Sequence, residues 1–78
     1  IKEQIMEIKK IIGKNLAKAR KDKLLTQKQL AENWGMPREQ YGKYERGIIE
    51  LNYTQIVYLC NILDITPNDL FYGTIANI

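Results

Sequence analysis

Apolar residues recur along the first part of the chain at Ile5, Ile8, Ile12, Leu16 and Ala19. Steps of three and four residues put them on one stripe of an α-helix. The spacing predicts a long first helix from about Lys2 to Asp22. Gly13 is its weak point, since glycine inside a helix costs about 1 kcal/mol relative to alanine. After Thr26 the helical spacing returns with Leu30, Ala31 and Trp34. The Thr26 hydroxyl can accept from a free backbone N–H of the first turn, so it is the expected N-cap. Gly35 ends this second helix, at a position able to take positive φ. A third helix is predicted from about Arg38. Tyr41 and Tyr44 share its inner face, Arg38, Glu39, Gln40 and Lys43 point outward, and Gly47 ends it. Asn52 caps a fourth helix, Tyr53 to Leu63, with Ile56, Val57, Cys60 and Leu63 inward. Thr66-Pro67-Asn68-Asp69 opens a fifth, of one or two turns, through Leu70 and Phe71. Proline suits the first helical position and an aspartate suits the positive helix end. The fold class expected is all-α: five helices and no sheet.

Composition narrows this picture. Seventy-eight residues make one small domain, with a marginal core because a short chain buries a small fraction of its surface. A helical bundle is the economical solution, and dimerisation would add buried surface. The single cysteine, Cys60, cannot form an intrachain disulfide and reads as a small core hydrophobe. No signal peptide is visible at Ile1, and the longest apolar run is far short of a membrane span. These features lead us to expect a cytoplasmic protein with no membrane partner. Histidine is absent, so no Ser-His or Cys-His pair can be built and a structural zinc site is not expected. There is no Gly-rich phosphate loop. Neither enzymatic activity nor a cofactor is expected.

The charge is unevenly placed. Residues 1–25 hold eight Lys/Arg and three Asp/Glu, whereas residues 26–78 hold four and six. A basic first helix over a mildly acidic remainder suits a polyanion touching one face. Taken alone, it equally suits a solvated helix face.

Short helix, Gly-containing turn, short helix over residues 26–47 is the helix-turn-helix outline. The ordered residues Leu25-Thr26-Gln27, Leu30-Ala31, Gly35, Tyr41 and Tyr44-Glu45-Arg46-Gly47 resemble the phage-repressor helix-turn-helix family (lambda repressor and Cro, the XRE family). Ile12 to Arg20 resembles the family's first helix, and Asn52 to Leu70 its fourth and fifth. The resemblance covers roughly residues 12–72. Residues 1–11 are then an N-terminal helical extension, packing on the domain or making a dimer contact, and residues 1–78 form a single domain.

The resemblance implies roles. Arg20 and Glu45 would form a partly buried salt bridge that fixes the first helix against the recognition helix. Arg38, Glu39, Gln40 and Lys43 would reach base edges. Arg38 suits guanine O6 and N7, and Glu39 suits the cytosine N4 amino group. Gln27 would anchor a phosphate and support the base readers. Thr26, Lys28 and Arg46 are candidate phosphate contacts, and Lys14 or Lys18 would add charge. Trp34, Tyr41 and Tyr44 stand at core positions, with the Tyr44 hydroxyl a further candidate phosphate contact. Leu24 occupies a place where many relatives have a capping glycine. Pro37 replaces the usual capping Ser or Thr of the recognition helix. Gly42, inside that helix, signals close approach, with packing against another helix the favoured cause.

Two functions stay open. One is a transcriptional regulator, a repressor, binding duplex DNA as a homodimer on a palindromic operator. The other is an antitoxin-like or partner-binding interaction module in which base reading is secondary. Arg38, Lys43 and Gln27 at groove-facing positions favour the first. Apolar residues in excess of one small core, Ile1, Ile5, Ile48, Ile49, Ile75 and Ile78, point to a dimer. Its surface is expected on the fourth and fifth helices, as in relatives, with the N-terminal extension as the competing choice.

Overall fold

The computed structural model describes residues 1–75. Ile78 and the other residues of 76–78 lie outside the described residues. Five helices follow in order: α1 (Lys2–Asp22), α2 (Gln27–Trp34), α3 (Arg38–Glu45), α4 (Tyr53–Leu63) and α5 (Pro67–Phe71). Among the described residues there is no strand, and no helix is long and apolar enough to cross a membrane.

Local chemistry sets each boundary. Thr26, Asn52 and Thr66 all cap, and each is answered by the side chain three residues on, Gln29, Gln55 and Asp69. These reciprocal bonds satisfy two N–H groups that a helix start leaves free. Gly35 takes φ 78° at the end of α2, and the Met36 N–H reaches back to the Ala31 carbonyl at 3.0 Å. Pro37 precedes α3 and contributes no side-chain cap. Leu24, by contrast, holds φ 60° while its side chain is 90% exposed. The turn has the left-handed geometry that glycine usually supplies, and no packing of the leucine compensates for it.

Leu16, Leu30, Tyr41, Leu59, Leu63 and Leu70 are fully buried and draw one core from all five helices. On α4 the inward face is Ile56, Leu59, Cys60 and Leu63. Val57, expected inside, is 55% exposed, because the face follows i, i+3, i+4, i+7 and Val57 lies a third of a turn off it. Ile49, expected at the surface, is half-buried against the core. The Asn15 amide closes the far end of α5 onto α1, donating to the Leu70 and Tyr72 carbonyls at 2.7 and 2.9 Å.

α1 stays unbroken through Gly13 because the glycine marks a helix crossing. A Cβ there would lie 2.8 Å from the Tyr44 carbonyl oxygen and closer still to that of Glu45. α1 therefore rides directly on the C-terminal end of α3.

Beside this crossing sits a buried ion pair. Arg20 Nε donates to Glu45 Oε2 at 2.7 Å and Nη2 to Oε1 at 3.2 Å, with side chains only 9% and 6% exposed. Arg20 Nη1 also donates to the Leu25 carbonyl at 2.7 Å, tying in the turn before α2. Tyr41 Oη and Gln27 Nε2 donate to the same carboxylate, so its acceptor sites are filled from three helices. Burial pushes the Glu45 carboxyl upward, but the hydrogen bonds from Arg20, Tyr41 and Gln27 outweigh it and hold it below its ordinary value. The bond to Glu45 holds the Arg20 guanidinium above its usual range. Burial, then the neighbouring carboxylate, pushes the Tyr41 phenol up, so it stays a neutral donor.

Removing either charge leaves the other buried and unpaired, at a cost of about 3–5 kcal/mol. Arg20→Ala and Glu45→Ala should each destabilise the domain by that order, and the double variant by less than their sum, read in a urea-denaturation cycle. Glu45 has a lowered pKa in the folded state, so its contribution is complete above the unfolded value of about 4.3 and is lost as pH falls through the folded value. Glu45→Gln should therefore flatten the loss of stability between about pH 4 and lower pH.

The two backbone positions should respond in opposite senses. Gly13→Ala should lower stability by about 1–3 kcal/mol through overpacking, despite alanine's better helix propensity. Leu24→Gly should raise the melting temperature by relieving a left-handed leucine. Thermal denaturation of both variants checks the pair of signs.

Candidate nucleic-acid interface

α2 and α3 are joined by the tight Gly35–Pro37 turn, so the start of α2 and the outer face of α3 meet on one side of the molecule. Gln27, Arg38, Glu39, Gly42, Lys43 and Arg46 line a single shallow hollow there. Five of the candidate DNA contacts, with Gly42 between them, are thus brought together. Arg38 and Glu39 project from the first turn of α3, where no side-chain cap covers the helix end. Lys43 follows one turn later, and Arg46 stands at the C-cap.

Other candidates fall at the margin or elsewhere. Gln40 is exposed on α3 but does not line the hollow. Lys28 is exposed on the first turn of α2, beside it. The Thr26 hydroxyl is engaged as the α2 cap, accepting from the Gln29 N–H at 3.0 Å. Tyr44 requires a correction: it is 6% exposed, and its hydroxyl accepts from Gln55 Nε2 at 2.9 Å. It is a core residue, packed against Trp34 at 5.6 Å between ring centroids, and presents no group to a phosphate. Lys18 is also displaced. It pairs with Asp22 at 2.9 Å and lines a different hollow, with Asp64 and Asp69.

Gly42 is buried under side chains, one of them from α2. A Cβ there would meet Arg46 Nη1 at 3.0 Å and Gln27 Oε1 at 3.8 Å. The space left by the missing side chain is occupied by two side chains of the hollow itself. Gln27 is in turn fixed by its 2.9 Å bond to Glu45. The buried ion pair therefore sets the orientation of a residue on the surface.

A second hollow continues from the first. Arg46 also borders one lined by Lys10, Lys14 and Glu7 of α1. Lys10 was not among the sequence candidates. Its signal was the Lys10/Lys14 pair four residues apart on α1, one turn of helix, but its placement depends on the α1–α3 crossing at Gly13. The result is a face carrying Arg38, Lys43, Arg46, Lys10 and Lys14, with Glu39 and Glu7 among them. Backbone N–H groups at the uncapped start of α3 add partial positive charge. Such a face can hold a polyanion, and it offers fork-shaped and carboxylate groups able to distinguish base edges. Among the described residues there is no group of three side chains suited to a metal ion.

Comparison with known proteins agrees with this fold. The helix-turn-helix family model matches residues 16–70. The chain is 38% identical over 63 residues to the uncharacterized HTH-type transcriptional regulator YqaE of Bacillus subtilis (strain 168), covering 81% of this chain and 54% of the relative. It is 36% identical over 66 residues to the SPbeta prophage-derived uncharacterized HTH-type transcriptional regulator YonR of the same organism, covering 85% of this chain and 61% of the relative. The chain thus spans just over half the length of these relatives. With the matched segment running from the core residue Leu16 of α1 to Leu70 of α5, the chain belongs to the helix-turn-helix family of the phage-repressor (XRE) type.

Proposed function

We propose that this chain is a sequence-specific double-stranded DNA-binding transcriptional regulator, a repressor that acts in the cytoplasm as a homodimer on a palindromic operator. The observation that carries this reading is the convergence of Gln27, Arg38, Glu39, Lys43 and Arg46 on one hollow. A major groove about 12 Å wide admits one helix, and eight-residue α3 presents its outer face without obstruction.

In this reading α3 enters the major groove with its N-terminal turn leading. Arg38 donates to guanine O6 and N7, Glu39 accepts from cytosine N4, and Lys43 and Gln40 contact the flanking pairs. Gln27, Thr26, Lys28 and Arg46 hold the phosphates on either side, with Lys10 and Lys14 extending that hold along α1. Thr26 contributes from the α2 start while its hydroxyl keeps the cap. Gln27, pinned by Glu45, sets the depth at which α3 sits. Two copies related by a two-fold axis read half-sites about 34 Å apart, one helical turn. Bound across a promoter, such a dimer excludes the transcription machinery. No enzymatic step or cofactor is part of this function. The alternative, an antitoxin-like or partner-binding module, makes base reading dispensable.

Reading and holding separate under mutation. Arg38→Ala should cost about 1–3 kcal/mol on the selected operator and relax preference at one base pair. Arg46→Ala should weaken all sequences alike and flatten the salt slope by about one unit. The measurement is binding of both variants to the selected operator and to a scrambled duplex at several salt concentrations. An unchanged ratio of specific to non-specific affinity in Arg38→Ala would move the interaction-module reading ahead.

Stoichiometry gives a further outcome. Mass measurement of the operator complex should find two protomers per site. One protomer per operator would contradict the homodimer.

A further inference from the structure

The DNA-binding reading leaves the first two turns of α1 without a task. Every residue from Ile1 to Ile8 is exposed, including Ile5 at 46% and Ile8 at 38%. Their apolar stripe does not pack on its own domain. Instead it forms one wall of a groove of about 320 Å³, completed by Ile12, Ile49, Leu51 and Phe71. A helix end with an uncovered apolar stripe is only marginally stable in water, and an open apolar groove beside it is a surface of the kind that binds a partner.

The spacing of the stripe fits a second copy of the same helix. Ile1, Ile5, Ile8 and Ile12 are separated by four, three and four residues, a pattern that reads the same in both directions. A second copy of the helix laid antiparallel therefore presents the same stripe in register. Ile5 then faces the partner's Ile8, and Ile12 faces the partner's Ile1. Such an arrangement has two-fold symmetry, each copy offering the same patch. The groove is bordered by one charge of each sign, Lys9 and Glu50. Glu50 borders the groove at the end formed by Ile49 and Leu51, and Lys2 adjoins Ile1 on the helix that would enter there. The competing face on α4 has exposed Tyr53 and Val57, but Thr54 and Asn61 are exposed beside them and neither Tyr53 nor Val57 borders the apolar groove.

We propose that the N-terminal turns of α1 are the homodimer seam of this protein, with a second copy's α1 seated antiparallel in the groove between α1 and the Ile49–Leu51 loop. This deepens the dimeric reading given above and rests on it only in supposing two copies. The isoleucine stripe and the Glu7, Lys10 and Lys14 side chains of the second hollow lie on opposite faces of α1, so both DNA-facing hollows are carried by each protomer alone.

The test uses the whole chain. Sedimentation equilibrium should show a reversible dimer without DNA. Ile5→Glu/Ile8→Glu sets carboxylates face to face across the seam and should weaken dimerisation at least tenfold, with helical content retained because both positions are exposed. Mixing it with Ile5→Lys/Ile8→Lys should restore a heterodimer, and Val57→Glu should leave dimerisation unchanged. Direction is read by oxidation: a mixture of Ile5→Cys and Ile8→Cys chains should crosslink faster than Ile5→Cys alone, against the parent chain with its buried Cys60. A monomeric parent chain, a dimer that survives Ile5→Glu/Ile8→Glu, a dimer lost in Val57→Glu, or preferential Ile5→Cys self-crosslinking would each overturn the proposal. Salt-dependent binding of the same variants to random duplex tests the DNA reading separately. Duplex binding by a chain that fails these dimer tests sinks the seam alone, and a seam-paired dimer that ignores duplex at every salt concentration sinks the DNA reading alone.

Discussion

The carboxylate of Glu45 is the point at which the parts of this domain are held to one another. It lies at the end of α3 yet takes hydrogen bonds from Arg20 on α1, Tyr41 on α3 and Gln27 on α2. Arg20 spends its remaining reach on the Leu25 carbonyl, which fixes where α2 begins. A charge pair this deeply buried contributes modest net stability once its desolvation is counted. Its consequence is geometric. With both charges buried, only the arrangement that pairs them avoids a large penalty, so the angle and depth of α3 against α1 and α2 are narrowly defined. Among the described residues no buried side-chain polar atom is left without a partner.

The same constraint extends outward to the surface proposed to meet DNA. Gln27 is fastened to Glu45 on one side and lies over Gly42 on the other, next to Arg46. Core and interface are joined through this one glutamine. A change in the buried pair would be felt at the hollow, even though Arg20 itself contributes nothing to that surface. Gly13 acts alongside, since the contact of α1 with the Tyr44 and Glu45 carbonyls is what brings Lys10 and Lys14 up to Arg46.

Much of this was legible one residue at a time. The helix boundaries followed from Thr26, Asn52, Thr66, Gly35 and Gly47, because capping and positive φ are properties of a residue and its next few neighbours. The pairing of Arg20 with Glu45 was legible only through the resemblance, since nothing in a 25-residue separation dictates contact. Val57 and the Tyr44 hydroxyl were misassigned for a related reason. Two adjacent apolar residues, Ile56 and Val57, fit the α4 period almost equally well until Leu59 is seen to take the core. The Tyr44 hydroxyl had an unforeseen buried partner in Gln55, supplied by a helix that starts nine residues later in the chain.

The sequence by itself determined five helices, their ends, and the apolar stripe of α1, whose symmetrical isoleucine spacing is a fact of order along the chain. These depend on interactions within one or two helical turns. Tertiary structure alone decided that Gly13 is a crossing rather than a break, that Gly42 lies beneath Arg46 and Gln27, that Lys10 joins the basic face while Lys18 leaves it, and that the isoleucines of residues 1–8 remain uncovered. Each of those outcomes is set by which helix lies against which, and that is a balance of burial, charge pairing and close packing summed over the whole domain, with no single local pattern to announce it.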